Sequence, residues 1–291
     1  MSNEARVRIV EVGPRDGLQN EQISLTIDQK LGLVQRLIDA GLRTIEVTSF
    51  VNPNVIPQLA DADELFPRLP KRDDVTYITL VPNERGYERA LRAGAHRIEV
   101  FTGATDEFCL ANIRCTVDQS FERFQPVVER AHRDGLTFRG AVSVAFHCPY
   151  SGPVEPLRAI AVSERLFQLG CDEVAVCDTI GRATRGEVEA LLSIAQDRLP
   201  FNQLALHMHD TFGQAIANLE AGWGAGIHTF DTAVGGLGGC PFAPGAPGNV
   251  ATESVVAMFE EKGIETGISV NSLQQTGNWV CNLLADQPNA R

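Results

Sequence analysis

Short runs of apolar, mostly β-branched residues alternate along the chain with longer stretches in which apolar residues recur every three to four positions. Such runs are typical of buried strands, and such stretches are typical of amphipathic helices. The pattern predicts eight strands, at about Arg8–Val12, Thr44–Thr48, Thr76–Leu80, Arg97–Phe101, Phe138–Ala145, Glu173–Cys177, Leu204–His209 and Thr229–Ala233. It also predicts helices after these strands, at about Ile27–Ala40, Leu59–Leu65, Glu84–Ala93, Asp118–Asp134, Glu155–Leu169, Arg185–Arg198, Gln214–Ala225 and Val250–Lys262.

Eight strand–helix pairs in succession predict an α/β fold, a single (β/α)8 TIM barrel, because such units build parallel sheets that close into a barrel. A doubly wound open sheet is the alternative, but no GxGxxG motif follows the first strand. One more helix, Leu273–Leu284, is predicted beyond the barrel. We therefore expect residues 1–291 to form one catalytic domain, with the barrel at about 7–262 and a C-terminal extension at about 263–291.

Composition narrows the class of protein. The chain has 291 residues, of which 44% are hydrophobic and 21% charged, as in globular proteins. The net charge of −12 argues against broad binding to nucleic acid or to an anionic membrane. No apolar run reaches the roughly 18–20 residues of a membrane-spanning helix. Seven cysteines without CxxC pairs indicate reduced thiols. No signal or transit segment is recognisable, and the reduced thiols favour a cytosolic protein.

The stretch LALHMHD carries the first chemical signal. His207 and His209 are two positions apart, so on a strand their side chains point to the same face. Two neutral imidazoles aimed at one point suit a divalent metal ion. Two ordinary histidines are the alternative, and the pair alone does not decide between them.

Other polar residues follow the predicted strands, where a TIM barrel carries its chemistry. Asp16 could complete a two-histidine metal site or cap a turn. Arg15 stays protonated and could hold an oxyanion or a carboxylate, or form a surface salt bridge. Glu46 is expected to point into the barrel, where a buried carboxylate needs a partner. Arg15 is a plausible partner. Glu46 could orient Arg15 for chemistry, or the two residues could form a purely structural buried pair.

The last predicted strand leads into a glycine-rich loop, Gly235–Gly248. A free thiol has a pKa of about 8.5, so Cys240 in this loop could donate a proton to a carbanion, or it could be inert. Asn249 could bind a metal ion or cap the next helix, and the residues alone favour capping. The other histidines we interpret as structural or unassigned: His96, His132, His147 and His228. Cys109, Cys115 and Cys148 remain without a role.

Several motifs together resemble the 3-hydroxy-3-methylglutaryl-CoA lyase family, over about Val7 to Leu284. These motifs are GPRDGLQNE, EVTSFV, CPYSG, CDTIG, HMHDTFGQA and GLGGCPFAPGAPGNVATE. The last of them looks like the signature loop of the family. The Arg-Asp motif and the HxH pair are similar, more distantly, to those of isopropylmalate and homocitrate synthases.

The resemblance implies roles for individual residues. It implies a Mg²⁺ or Mn²⁺ ion bound by Asp16, His207, His209 and Asn249, and so favours the ligand role of Asn249 over capping. Arg15 is implied as the stabiliser of an enolate oxygen, Glu46 as an active-site acid and Cys240 as a catalytic cysteine of a lid. The implied catalytic set is Arg15, Asp16, Glu46, His207 and Cys240, and the implied substrate contacts are Arg15, Gln19 and Gly239.

The implied activity is cleavage of 3-hydroxy-3-methylglutaryl-CoA to acetoacetate and acetyl-CoA, as in leucine catabolism. The implied assembly is a homodimer, and the net charge already argued against nucleic-acid or membrane partners. Mitochondrial members of the family carry a targeting leader, so the absence of one implies a bacterial, cytoplasmic protein. The segment Phe50–Asn54 departs from the Ser-Pro-Lys expected in many members. A related acyl-CoA, with a longer or smaller 3-substituent or of the citramalyl type, is therefore an alternative substrate. A synthase-like condensation and a catalytically silent acyl-CoA-binding barrel are less favoured alternatives.

Overall fold

The computed structural model describes residues 7–239 and 248–285. Its strands are β1 (Arg8–Glu11), β2 (Thr44–Ser49), β3 (Thr76–Leu80), β4 (Arg97–Gly103), β5 (Thr137–Ser143), β6 (His147–Cys148), β7 (Gly152–Pro153), β8 (Glu173–Asp178), β9 (Leu204–Met208) and β10 (Thr229–Thr232). Eight of them form a closed parallel barrel in the order β1-β10-β9-β8-β5-β4-β3-β2, and β6 and β7 form a small hairpin. The prediction of a TIM barrel is thus confirmed.

The helices are α1 (Ile27–Asp39), α2 (Ala62–Leu65), α3 (Glu84–Ala93), α4 (Asp106–Ile113), α5 (Val117–Arg133), α6 (Pro156–Leu169), α7 (Arg185–Ala195), α8 (Ala215–Ala225), α9 (Thr252–Glu261) and α10 (Val270–Ala285). Within the described ranges, none combines the length and the apolar character that crossing a bilayer requires. The predicted helix Leu59–Leu65 is wrong in its extent, because 3₁₀ turns at Pro57–Leu59 and Phe66–Arg68 flank a short α2. Helix α4 was not predicted at all.

Local sequence signals explain where several helices begin and end. Thr26, Thr116 and Thr184 each precede a helix, and each side chain accepts a hydrogen bond from the backbone three residues later in a capping box. Gly170 and Gly226 end α6 and α8 in the left-handed region, with φ of 111° and 102°. These caps hold the helices in register with the strands and so fix the loops at the barrel mouth.

One layer of the barrel interior is made of unusually small side chains. Phe101, Ala141, Ala175 and Ala205 are register partners on β4, β5, β8 and β9. With Cys177 they form a small apolar cluster that is separate from the main core between the strands and helices. Branched residues usually fill a TIM barrel, so the three alanines of this layer are smaller than the residues typical of such positions.

Helix α10 lies against the end of the barrel. It packs on α1, on α9 and on the 3₁₀ turn Val234–Gly236, which starts the glycine-rich loop. A Cβ added to Gly277 of α10 would lie 3.2 Å from the Cα of Gly235. Because glycine occupies both contacting positions, Gly277 in the helix and Gly235 in the turn, the two backbones approach each other directly.

Candidate metal centre and active site

The chain leaves β1 through one tight π-helical turn, Gly13–Gly17. The N–H groups of Arg15, Asp16 and Gly17 all converge on the carbonyl oxygen of Val12, at 3.1, 2.8 and 3.2 Å. Single π-helical turns recur at functional sites, because they redirect side chains over a short length of chain. Here the turn holds Arg15 and Asp16 at the carboxyl end of β1, where the sequence predicted them.

Asp16, His207 and His209 form the candidate cation site. One potential ligand atom from each lies within 4.8 Å of the other two, and all three residues are buried. Asp16 Oδ2 is 3.8 Å from His207 Nε2 and 4.0 Å from His209 Nε2. The two imidazoles thus face one point with the carboxylate opposite, as expected for residues two positions apart at the end of β9.

Asn249 adjoins this group. Its Nδ2 atom lies 2.9 Å from Asp16 Oδ2 and 3.1 Å from the carbonyl oxygen of Leu237. Its Oδ1 atom is buried without a hydrogen-bond partner among the described residues. The oxygen and nitrogen of an amide exchange places by a half-turn, so the same side chain can present its oxygen to a cation held by Asp16. Asn249 is not the helix cap, because the N-cap of α9 is Ala251.

The donor set fits a divalent cation. A carboxylate, two imidazoles and an amide are all usable ligands for such ions. His207 Nδ1 lies 3.3 Å from Asp231 Oδ2, and this contact leaves His207 Nε2 free to face Asp16. Sequence analysis missed Asp231. A charged residue inside the apolar run Thr229–Ala233 was the available signal, and the structure shows that this residue is paired in register with His207.

Arg15 is held by carboxylates on three sides. Its Nη1 atom is 2.6 Å from Asp16 Oδ1, its Nε atom is 2.6 Å from Glu46 Oε1, and its Nη2 atom is 3.8 Å from Glu99 Oε1. Burial opposes the charge of Arg15, but these carboxylates outweigh burial and raise its pKa. Burial also raises the pKa of Glu46, to about 8, against the opposing effect of Arg15. Gln19 Nε2 donates to Asp16 Oδ1 at 3.2 Å.

Cation binding requires an ionised carboxylate and neutral imidazoles, and the pKa values of Asp16 and His209 are shifted in the direction that suits it. Burial would raise the pKa of Asp16, but Arg15 and the two histidines outweigh it and lower the pKa to about 2. Burial and the neighbouring His207 lower the pKa of His209 to about 4. Burial lowers the pKa of His207, but Asp231 and Asp16 together raise it above its ordinary value.

The start of the glycine-rich loop closes over the candidate site. Gly238 has a φ of 99°, and a Cβ added there would lie 2.8 Å from Asn249 Nδ2 and 3.1 Å from the Cα of Gly17. Only glycine fits this backbone and this space. Gly239 is exposed, next to this contact. Cys240 lies outside the described residues, so its predicted role stays a prediction.

The remaining histidines with described contacts lie away from the cluster. His147 Nε2 is 2.8 Å from Glu187 Oε1, and the imidazole of His132 packs against Gly170. His228 stacks edge-on against Trp223. The contacts of His132 and His228 agree with their structural interpretation, and His147 pairs with Glu187 away from the cluster.

Fold and site together define a TIM-barrel protein with a candidate divalent-metal centre at the carboxyl ends of its strands. A family model described as HMGL-like matches residues 6–280, and the chain belongs to this HMGL-like family.

Named relatives agree with this family. The chain is 45% identical over 271 residues to a hydroxymethylglutaryl-CoA lyase of Pseudomonas mevalonii, covering 93% of this chain and 90% of that protein. It is 43% identical over 286 residues to a 3-hydroxy-3-isohexenylglutaryl-CoA/hydroxy-methylglutaryl-CoA lyase of Pseudomonas aeruginosa, covering 98% and 95%. A solved structure of an HMG-CoA lyase from Acinetobacter baumannii, in complex with coenzyme A and 3-methylmalate, matches with a TM-score of 0.92 at 36% identity, covering 100% and 95%.

Proposed function

We propose that this protein is a divalent-metal-dependent carbon–carbon lyase that cleaves 3-hydroxy-3-methylglutaryl-CoA into acetoacetate and acetyl-CoA. One observation carries the proposal, namely the convergence of Asp16, His207 and His209 at the barrel mouth, with Arg15 in contact with Asp16. The names and high identity of the relatives support the same activity. Synthase-like condensation is less favoured because both relatives are named lyases.

Cleavage requires the tertiary hydroxyl of the substrate to lose its proton while the bond to the thioester-bearing carbon breaks. Mg²⁺ or Mn²⁺ held by Asp16, His207, His209 and Asn249 would supply Lewis-acid activation of that hydroxyl. Asp16, whose Oδ2 atom lies 3.8 Å from His207 Nε2, takes the proton of that hydroxyl.

The electrons of the broken bond move into the thioester and make an enolate. Arg15 donates N–H groups to the enolate oxygen, and removing one such donor typically costs about 10²–10³ in rate. Glu46 keeps the Arg15 guanidinium in place through the contact at 2.6 Å. Gln19 and Gly239 border this space and contact the substrate, and Cys240 returns a proton to the enolate carbon.

A direct assay tests the proposal. Purified protein is given 3-hydroxy-3-methylglutaryl-CoA with Mg²⁺ or Mn²⁺, and acetyl-CoA and acetoacetate are measured. We expect turnover that chelation abolishes and that the variant Asp16→Asn lacks. Absence of both products from the metal-supplied wild type would reject the lyase, whereas full turnover after exhaustive chelation would reject the metal.

A longer 3-substituent is a second candidate, favoured by the interior layer that contains Ala141, Ala175 and Ala205. The Pseudomonas aeruginosa relative is named for an isohexenyl substrate as well as for the methyl one. If this layer accommodates the substituent, Ala141→Leu should lower kcat/KM for the isohexenyl thioester about tenfold more than for the methyl thioester, since a few methylenes decide such selectivity. Equal losses for the two substrates would remove the layer from substrate selection.

Further expectations stay predictions. They are the homodimer, the cytoplasmic location, the part in leucine degradation, and the single catalytic domain with its boundary near residue 262. Sedimentation velocity of the purified protein tests the dimer, which requires a species of about twice the 31.6 kDa chain mass.

A further inference from the structure

A buried guanidinium lies in the barrel below the candidate site. Arg139, on β5, is almost completely buried and contacts carboxylates from three other strands. Its Nη1 atom is 2.7 Å from Glu99 Oε2 on β4, and its Nε atom is 2.7 Å from Glu173 Oε1 on β8. Its Nη2 atom is 2.6 Å from Asp231 Oδ1 on β10. One side chain thus joins four of the eight barrel strands through charged contacts.

Two of these carboxylates extend the network to the candidate site. Asp231 gives one oxygen to Arg139, and its other oxygen lies 3.3 Å from His207 Nδ1. Glu99 gives one oxygen to Arg139, and its other oxygen lies 3.8 Å from Arg15 Nη2. Each carboxylate therefore bridges the buried guanidinium to a side chain of the site.

The third carboxylate leads away from the site. Glu173 contacts Arg139 with one oxygen, but its other contacts are with Arg8 and, at 3.7 Å, Arg97. Glu173 is as closely bound to Arg139 as the other two carboxylates are. It therefore offers a matched control in the same network.

We propose that Arg139 is a positioning residue that orients both His207 and Arg15, through Asp231 and Glu99. The physical reason is the fixed planar geometry of the guanidinium, which presents several N–H groups in set directions and so fixes the carboxylates that accept them. In a buried site a carboxylate without its partner is strongly disfavoured, so these contacts persist. The positions of a candidate metal ligand and of a candidate oxyanion donor are then set by one residue that touches neither substrate nor metal.

Two branches leave Arg139, one through Asp231 to His207 and one through Glu99 to Arg15. Three single variants distinguish the effect of each branch on the site from a general loss of stability. They are Asp231→Asn, Glu99→Gln and the control Glu173→Gln. For each, the Kd of Mn²⁺ is measured by calorimetry without substrate, kcat and KM are measured with 3-hydroxy-3-methylglutaryl-CoA, and the Tm is recorded. The kcat arm rests on the proposed function, whereas the Mn²⁺ arm does not.

Each branch has its own expected result. Asp231→Asn should raise the Mn²⁺ Kd about tenfold, since outer partners of metal-binding histidines are typically worth that much. Glu99→Gln should lower kcat about tenfold and leave the Mn²⁺ Kd within about twofold, since of the two site residues Glu99 contacts Arg15 and not His207. Glu173→Gln should lower the Tm while leaving Mn²⁺ Kd and kcat within about twofold.

Arg139→Lys should reproduce both branch effects, because an ammonium cannot satisfy three carboxylates in fixed directions.

Other outcomes overturn the inference. If Glu173→Gln changes the Mn²⁺ Kd or kcat as much as the branch variants do, the network supports folding only. The same conclusion follows if Asp231→Asn lowers the Tm without changing the Mn²⁺ Kd, and Glu99→Gln lowers the Tm without changing kcat. Should Arg139→Lys fail to fold, the three carboxylate variants still decide. Should the wild type not cleave the thioester, the proposed function fails and the Mn²⁺ arm decides the Asp231 branch alone, removing Arg15 from the claim.

Discussion

Arg15 is surrounded by three carboxyl groups. Asp16, Glu46 and Glu99 all face it, and Glu46 is fully buried. A guanidinium in such a setting has little freedom to move, so its N–H groups keep fixed directions. At the scale of single residues, the site therefore depends on carboxylates that orient its charged groups.

The first prediction concerns Glu46. Replacing Glu46 by Gln keeps the size but exchanges the carboxyl group 2.6 Å from Arg15 Nε for an amide, so kcat/KM should fall about tenfold or more, as for a misplaced oxyanion donor. Steady-state assays of the variant measure this. Glu88→Gln, which loses only a surface pair with Arg130, serves as the control. An unchanged kcat/KM in Glu46→Gln would leave Glu46 as a structural partner of Arg15.

The second prediction concerns pH and Glu11. Complete burial raises the pKa of Glu11 from 4.5 to about 7, although hydrogen bonds from Thr252, Val234 and Gly13 oppose this. The folded protein therefore keeps a proton that the unfolded chain loses at lower pH. The stability from this group is full below pH 4.5 and is lost as the pH rises through 7, a change on the order of 3 kcal/mol.

Comparison with Glu11→Gln, whose amide side chain does not titrate, isolates the contribution of Glu11 to the pH dependence of stability. The free energy of unfolding of the wild type, relative to Glu11→Gln, should decrease between pH 4.5 and pH 7.5 in urea titrations. A difference that is flat over this range would mean that Glu11 is ionised in the folded protein across it, held charged by its three donors.

The residues that sequence analysis anticipated share one property. His207, His209, Arg15 and Asp16 stand at or just after strand ends, where a TIM barrel carries its chemistry, so a predicted strand boundary was enough to bring them together. Asp231, Glu99 and Arg139, which sequence analysis did not anticipate, lie inside strands. Which of these contact each other depends on register across the barrel, and the pattern along one strand does not contain that information.

At the scale of elements, the glycine-rich loop and the turn after β1 are packed backbone to backbone. The third prediction tests this contact with Gly238→Ala. The variant should displace the Asn249 amide from Asp16, because a Cβ would lie 2.8 Å from Asn249 Nδ2. We expect about 1 kcal/mol of lost stability from the positive φ and a several-fold weaker Mn²⁺ Kd by calorimetry.

Gly94→Ala is the matched control for this prediction. Gly94 has a similar φ of 89°, and a Cβ there meets nothing within 4 Å. It should lose a similar amount of stability without any change in Mn²⁺ affinity. Equal Mn²⁺ affinities in the two variants would show that the loop contact does not position Asn249.

Strands were predicted more closely than helices, for reasons visible in particular elements. The strands of a parallel barrel are buried on both faces and so stand out as short apolar runs. The second helix is interrupted at Pro57 and Pro67, which the apolar pattern did not register. Helix α4 carries no clear apolar stripe and ends at Arg114 in the left-handed region, so periodicity gave no signal for it.

At the scale of the whole molecule, a bound cation links strands at distant positions of the chain, because its candidate ligands come from both the beginning and the end of the barrel. The fourth prediction is that Mn²⁺ stabilises the folded state. At a concentration of about 100 times Kd the gain is about 2.7 kcal/mol, or roughly 5 °C in Tm for a chain of this size.

Differential scanning calorimetry with and without Mn²⁺ measures this shift. The variant Asp16→Asn, which lacks one of the three clustered ligands, should show a much smaller rise. The same rise in both proteins would place the ion elsewhere on the molecule.

The C-terminal helix α10 has a consequence for shortened forms of this protein. A gene product ending before Val270 would retain every barrel strand and every candidate cation ligand, yet it would lose the support beneath the turn at Gly235. Such a product would still bind Mn²⁺, but the turn Val234–Gly236 would lose the helix backbone at Gly277 that it contacts, and with it the fixed starting point of the chain that leads to the candidate ligand Asn249.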